Sequence, residues 1–555
     1  MAIPRPWTII AVRNFFYWST LVTRLISPSR RRLAAALILL VIASLAPAAA
    51  QRKPKPPKEP RDVAAFRLRV EQILSAAGAV KGHWAVLVAD ASSGKILYER
   101  NPDQYFAPAS NTKLYTTALA LASLGPDYRF RTTVETRGTL DAKGRLSGDL
   151  VLVGRGDPSL SNRVFPYEKE VQRDGPPEKI LAALADQVVA RGLRQLDGDV
   201  VADDSYYAHE RFPSGWTVDD IVWGYGAAVS ALTLHDNVVS LEVRPADQPG
   251  APATFTLEPW AGYFTIENRV TTGPAGSERS LELVREPGSR TVELRGSLPT
   301  DARPATLTLA VEEPAEHAAL LFTQLLEARG VRIYGKTLAR HGPRTEPPGA
   351  ARGDLPPPDA PPPTVLAEHL SVPLLEEIRL TNKISQNLHA ELLLRAAAHE
   401  KASARTADDA LKFAKEFFLS IGIPENEVLL SDGSGLSRRN ILTPRATLIL
   451  LQYIARQPWA AAYISTLPVA GEDGTLSDRM KNTSAAGRIH AKTGTLERVN
   501  ALAGFATTLH NTEVVFAIYG NLHNLRGRDA TAVVDSLCIV LVEELGRPAK
   551  PPRRK

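Results

Sequence analysis

The chain has 555 residues, 44% of them hydrophobic and 23% charged, which excludes a polytopic membrane protein and a disordered chain and leaves room for about three domains. Its formal net charge of +6 is confined to one end. Arg5, Arg13, Arg24, Arg30, Arg31 and Arg32 fall within residues 1–50, which hold no acid, and the remaining 60 of 66 basic residues balance 60 acidic ones, so no nucleic-acid-binding surface is implied. The single cysteine, Cys538, excludes an internal disulfide and a cysteine-based zinc site, and its apolar surroundings mark a buried, inert thiol.

Three arginines at 30–32, an apolar run over 33–45 and the small residues 48–50 form a secretory signal over 1–50. Left uncleaved it is a signal anchor, since residues 7–22 are also apolar. Either way the folded part is expected in the periplasm or otherwise outside the cytoplasmic membrane, with loose membrane association if the leader stays on. A Pro-rich charged linker follows over 51–64. Residues 83–90 and 95–99, joined by turn residues, predict a hairpin. Residues 110–124 predict an amphipathic helix, apolar at 114, 118, 121 and 124. Between 135 and 341, strand signals at 148–154, 198–202, 238–243, 291–296 and 305–311 surround one helical pattern at 180–191, which predicts one or more inserted, mainly β domains. A second Pro-rich linker spans 342–364. Helices are expected at 372–380, 388–397, 411–421 and 445–455, the last capped by Thr443 with Pro444 at its first position. Strands at 501–507 and 514–520, a helix at 529–545 and a basic Pro-rich tail over 547–555 complete the chain. Sheet material at both ends with helices between predicts an α+β domain assembled from 65–134 and 365–546.

Three short elements carry chemistry. Ser110 stands at a helix start with Lys113 one turn later on the same face, so a hydroxyl favoured by the helix dipole has an amine within reach. Ser385 and Asn387 occupy a polar corner between two helical stretches. Lys492, Thr493, Gly494 and Thr495 lead into a strand, where a cation can hold a carboxylate and a glycine lets a ligand approach the backbone. Taken singly, each also fits a structural role: a serine N-cap with a solvated lysine, a Ser/Asn helix cap, and a strand-edge lysine beside a bulge.

Their order changes the balance. Ser-x-x-Lys, Ser-x-Asn and Lys-Thr-Gly in that sequence resemble the active-site set of penicillin-binding proteins and β-lactamases. From about 65 to 546 the chain resembles the S13 peptidase family, the penicillin-binding D-alanyl-D-alanine carboxypeptidases/endopeptidases of the penicillin-binding protein 4 (DacB) class. Ser110 and Ser385 are 275 residues apart, and this family carries extra domains at that point. Further family-like stretches are GDPSL at 156–160, GDVVADDSYY at 198–207, YGAAVSALTLHDN at 225–237, SDGSGLSRRN at 431–440 and LPVAGEDGTL at 467–476. The middle residue of the second motif is Gln386 where relatives often have Asp.

The resemblance implies a serine β-lactamase/DD-peptidase-like domain, an antiparallel sheet flanked by helices, with inserted mainly β domains. It implies a serine-type D-Ala-D-Ala carboxypeptidase or endopeptidase acting on peptidoglycan stem peptides, blocked covalently by β-lactams and using no cofactor or metal. Ser110 would attack the penultimate D-Ala carbonyl. Lys113 would act as base, its pKa lowered by burial and by Lys492. Ser385 would relay a proton to the leaving amine. Asn387 would bind the substrate amide and hold Lys113. Lys492, Thr493 and Thr495 would hold the carboxylate, beside Gly494, and the N–H groups of Ser110 and Thr495 would form the oxyanion hole. Asp204 and Tyr207 would contact the stem peptide from the insert, unless they are a turn and a core aromatic. Ser434 and Ser437 either border the site or form a tight turn. The two Arg-Gly-Asp triplets, at 155–157 and 352–354, read as a turn and a linker rather than adhesion sites. A β-lactamase or esterase of the same fold, and a non-catalytic cell-wall binding protein, are the rival functions.

Overall fold

The computed structural model describes residues 60–76, 78–343 and 362–546, all within the unit Pro60–Lys555. The leader expected over 1–50, residues 51–59 of the first linker, most of the second and the tail lie outside the described residues.

A five-stranded antiparallel sheet runs in the order Ile96–Arg100, His83–Asp90, Glu513–Asn521, Val499–Thr507, Ile489–Leu496. It draws its strands from both ends of the chain. Alternate residues of His83–Asp90 enter two different cores, as the two-residue period of a strand requires. Trp84, Val86 and Val88 pack with Phe66 and Val70 of the helix Arg61–Ser75 and with Leu537, Cys538 and Leu541 of Gly527–Glu544. Ala85, Leu87 and Ala89 face Leu114 and Ala118 of the helix Thr112–Leu124, Ile378 of Leu374–Ile384 and Leu448 and Leu451 of Pro444–Ala455. Burial on both faces is why this strand is apolar almost throughout. Thr443 caps the last of these helices, its Oγ1 accepting from Ala446 N at 3.1 Å, with Pro444 at the first position as expected. Cys538 is fully buried, and burial pushes its thiol well up, which keeps it protonated and inert.

The insert is built around a second five-stranded sheet in the order Thr337–Gly342, Val200–Ala208, Leu150–Val153, Arg131–Thr136, Thr364–Leu370. Two three-stranded sheets share a further core through Val239, Leu241, Phe264, Val292 and Leu294. Three expectations change. The boundaries at 134 and 365 fall inside Arg131–Thr136 and Thr364–Leu370, which pair with each other as the insert's entry and exit strands. The insert holds two long helices instead of one: Lys179–Ala190, and Pro314–Ala328 with proline in its first turn, both contributing to the core of the second sheet. Residues 61–64, read as linker, are the first turn of Arg61–Ser75, with Val63 buried.

Candidate active site

Ser110 sits on a short 3-10 turn, Ala109–Asn111, that leads directly into Thr112–Leu124. Two glycines let other chain segments close on this turn. A Cβ on Gly494 would lie 2.5 Å from Pro108 O, and one on Gly435, whose φ is +86°, would lie 1.9 Å from Ala109 O. Asn111 Nδ2 donates to Lys492 O at 2.9 Å and ties the turn to the edge strand Ile489–Leu496.

One turn along, Lys113 is fully buried. Its Nζ lies 2.9 Å from Ser110 Oγ, 2.6 Å from Asn387 Oδ1 and 2.6 Å from Ser434 O. Burial lowers its pKa to about 7, against the opposing pull of the Asp432 and Glu391 carboxylates. Lys492 Nζ lies 2.8 Å from Ser385 Oγ and 2.9 Å from Thr493 O, and this amine is also fully buried. Burial, and then the charge of Lys113, push it well below the usual lysine range. Burial is the largest cause at both amines, and the charge of Lys113 adds to it at Lys492.

The polar corner forms as the sequence implies. Ser385 ends Leu374–Ile384 in a left-handed conformation (φ 61°, ψ 39°), Gln386 is extended, and Asn387 begins the helix Asn387–Ala402. Gln386 Oε1 accepts from Leu388 N at 3.0 Å, so the variable motif residue caps that helix. Asn387 holds Lys113 with its oxygen and donates its Nδ2 to Tyr225 O at 2.8 Å, which joins the insert to the site. Thr493 is buried, with its Oγ1 2.8 Å from Thr475 Oγ1, and Thr495 is exposed beyond Gly494.

Ser110, Lys113, Ser385, Asn387, Lys492, Thr493, Gly494 and Thr495 thus form one connected constellation. Beside it lies a cleft of about 640 Å³ lined by Ser385, Gln386 and Asn387 on one side and by Trp223, Tyr225 and Thr308 of the insert on the other. A cleft of about 700 Å³ lined by Arg131, Gln187 and Glu368 holds none of these residues. Asp204 and Tyr207 are not brought to the constellation. Tyr207 is 2% exposed in a core with Val229, Leu388 and Leu392, and Asp204 is 5% exposed and engaged by Ser230 and His341, so different neighbours cover the two residues of this strand. Ser434 Oγ donates to Asp432 Oδ2 at 3.1 Å within the turn, and Ser437 Oγ donates to Ser214 O of the insert at 2.8 Å, so the one hydroxyl serves the turn and the other ties it to the insert.

Three contributors escaped the sequence reading. The carbonyl of Ser434, not its hydroxyl, meets Lys113. Glu391 holds that loop, its Oε1 accepting from Gly433 N at 2.9 Å and Ser434 N at 2.8 Å. Burial, and then Asp432, raise the Glu391 pKa to about 7. Asn111 was passed over as a variable position inside the Ser-x-x-Lys motif. A charged residue in the apolar helical stretch over 388–397 was the one available signal for Glu391.

A hydroxyl and two buried amines gathered at the edge of an antiparallel sheet, with helices on both of its faces, define the β-lactamase/DD-peptidase class of proteins. Residues 67–539 match the D-Ala-D-Ala carboxypeptidase 3 (S13) family, and the chain belongs to that family. It is 37% identical to a D-alanyl-D-alanine carboxypeptidase of Actinomadura sp. (strain R39), over 85% of this chain and 83% of that one. The fold is similar to that of penicillin binding protein 4 (dacB) from Haemophilus influenzae, with a TM-score of 0.71 at 24% identity over 85% of this chain and 98% of that one. A second structure of that protein, complexed with a novel β-lactam, has a TM-score of 0.65 at 23% identity over 86% of this chain and 99% of that one.

Proposed function

We propose that the chain is a serine-type D-Ala-D-Ala carboxypeptidase that forms its acyl-enzyme on Ser110. The observation that carries this assignment is the 2.9 Å contact between Ser110 Oγ and Lys113 Nζ, an amine whose burial brings its pKa to about 7. An amine with that pKa is largely neutral at mildly alkaline pH and can take the hydroxyl proton.

The chemistry follows from the positions. The substrate's terminal carboxylate is held by Lys492, Thr493 and Thr495. Ser110 Oγ attacks the penultimate D-Ala carbonyl as its proton passes to Lys113. The oxyanion that forms is met by the N–H groups of Ser110 and Thr495, each contributing on the order of 3 kcal/mol to the transition state. Asn387 keeps Lys113 aimed at Ser110. As the tetrahedral species collapses, the proton taken up by Lys113 is returned through Ser385, which Lys492 holds at 2.8 Å, to the departing amine of the terminal D-Ala. Water then hydrolyses the ester and returns the hydroxyl proton. A β-lactam opens by the same attack, but its ring amine stays tethered and deacylation is slow, so penicillin blocks the enzyme.

Residues 60–130 with 371–546 act as the catalytic domain, and the insert supplies the far wall of the cleft. Peptidoglycan stem peptides, and cross-links built on D-Ala, are the substrates this arrangement suits, in an enzyme exported by its N-terminal signal to the periplasm or cell surface. Among the described residues no helix is long and apolar enough to cross a membrane. Mass spectrometry of a disaccharide pentapeptide and of a cross-linked dimer after incubation tests the reading. Loss of one alanine from the first marks a carboxypeptidase, cleavage of the second an endopeptidase, and no change in either rejects both. Fluorescent penicillin labelling that survives Ser110→Ala rejects the nucleophile.

A further inference from the structure

Well outside the constellation around Ser110, the insert gathers four ionisable side chains at one end of its five-stranded sheet. The strand Thr337–Gly342 runs parallel to Val200–Ala208 at the sheet's edge. Gly342 permits a close approach there, since a Cβ would lie 2.3 Å from Tyr207 O, and His209 N donates to Gly342 O at 3.1 Å. The imidazoles of His209 and His341 consequently meet, with ring centroids 4.1 Å apart. Behind them Asp204 places Oδ1 2.8 Å from His341 Nδ1 while its Oδ2 accepts from Ser230 Oγ at 2.7 Å. From a third element, just ahead of the helix Pro314–Ala328, Glu313 uses Oε1 to accept from Arg211 Nη1 at 2.6 Å. Its Oε2 is buried without a hydrogen-bond partner and lies 3.6 Å from His209 Nε2 and 4.0 Å from His341 Nε2. Donor atoms of Asp204, His209 and His341 fall within 4.8 Å of one another.

These contacts define the ring chemistry. A proton on His341 Nδ1, given to Asp204, leaves the Nε2 lone pair directed toward Glu313. A carboxylate behind an imidazole is the usual outer support of a metal-ligating histidine. Two imidazole nitrogens with a carboxylate oxygen suit borderline divalent ions such as zinc, whereas calcium and magnesium prefer oxygen alone. Donors around a tetrahedral zinc ion stand about 3.4 Å apart for bonds of about 2.1 Å, and the Glu313 Oε2 separations of 3.6 and 4.0 Å from the two Nε2 atoms are close to that spacing.

We infer that His209 Nε2, His341 Nε2 and Glu313 Oε2 form a binding site for one divalent transition-metal ion of the zinc class, with Asp204 orienting His341 and water completing the coordination. The ion clamps the edge strand Thr337–Gly342 to the end of the neighbouring strand Val200–Ala208 and to the start of Pro314–Ala328. It stabilises the insert and takes no part in the chemistry at Ser110.

The test uses the tag-free full chain, stripped with chelator and titrated with Zn²⁺ or Co²⁺. Expected are one metal ion per chain retained through gel filtration, a cobalt visible spectrum of four- or five-coordinate intensity, and a melting temperature that rises with zinc. His341→Ala and, separately, Glu313→Gln should weaken binding by at least about tenfold and abolish the thermal shift, with the rate of penicillin acylation unchanged. If His341→Ala does not fold, Glu313→Gln decides, since it keeps the side-chain size and an oxygen for Arg211. Wild-type protein that retains no stoichiometric metal, or variants that bind as the wild type does, would reduce the cluster to a set of His–carboxylate ion pairs and overturn the proposal. Acylation by penicillin is read in the same samples, so this outcome is separate from the fate of the Ser110 assignment.

Discussion

Lys492 Nζ and Ser385 Oγ stand 2.8 Å apart in a pocket where the amine is fully buried. Burial, and then the charge on Lys113, hold Lys492 well below the ordinary lysine range, so before substrate arrives this amine gives up its proton readily. A carboxylate placed against it reverses the balance, because the ion pair is worth most where water is excluded. Binding of the substrate carboxylate is then coupled to proton uptake.

That coupling is measurable. Titration calorimetry of a D-Ala-D-Ala peptide into Ser110→Ala protein at pH 8, in two buffers of different ionisation enthalpy, should show net proton uptake on binding. With Lys492→Ala in the same background the uptake should disappear and affinity should fall. Identical heats in the two buffers would mean that Lys492 is charged throughout.

On the proposed mechanism, Lys113 sets the acid limb of acylation. Its pKa is lowered to about 7, and the neutral amine is the base, so activity is present above that value and is lost as pH falls through it. The neutral fraction drops roughly tenfold for each pH unit well below the pKa. Stopped-flow acylation by a fluorescent penicillin should therefore slow by about tenfold between pH 6 and pH 5. Lys113→Ala should lower the rate at pH 8 by a factor on the order of 10² to 10⁴. Glu391→Gln, by removing a carboxylate that raises the Lys113 pKa, should move the limb to lower pH.

Gly435→Ala tests how closely the Asp432–Asn440 loop must approach the nucleophile. The new Cβ would meet Ala109 O at 1.9 Å from a backbone with φ of +86°, so either the loop or the Ser110 turn has to move. Backbone strain of this kind costs on the order of 1–3 kcal/mol before the clash is counted. Thermal melting should register that loss. Penicillin acylation should fall further than the residual folded fraction accounts for, because Ser434 O loses its place on Lys113.

Tyr207→Phe separates a core residue from a substrate contact. The Tyr207 hydroxyl is buried without a hydrogen-bond partner, and the ring packs against Leu388 and Leu392. Removing a hydroxyl that makes no bond should change stability by less than about 1 kcal/mol and leave kcat/KM for a stem pentapeptide at the wild-type value. A severalfold rise in KM would return Tyr207 to the substrate.

What could be read along the chain was whatever depends on neighbours a few residues away. The three-residue spacing of Ser110 and Lys113 on one helix is local, as are the corner at Ser385 and Asn387 and the Thr443–Pro444 helix start, and each survives in three dimensions. The apolar period located five strands of the insert to within a few residues, among them Val238–Arg244 and Ala305–Ala310, and missed the others, Arg131–Thr136 and Thr364–Leu370 included. Those two pair with each other across more than two hundred residues, and Arg131–Thr136 buries Thr132, Thr133 and Thr136 in place of the apolar residues that would have marked it. The same holds for chemistry. Which amines lose their water, and so become a base and an anion hole instead of two solvated cations, depends on Glu391, Ser434 and Asn387 closing over Lys113 from segments some 270 to 320 residues distant. Residue type and spacing placed the nucleophile and its lysine on one face of one helix. Desolvation, a property of the packed whole, decided their protonation, and it also decided that Tyr207 and Asp204 lie under cover away from the catalytic hydroxyl.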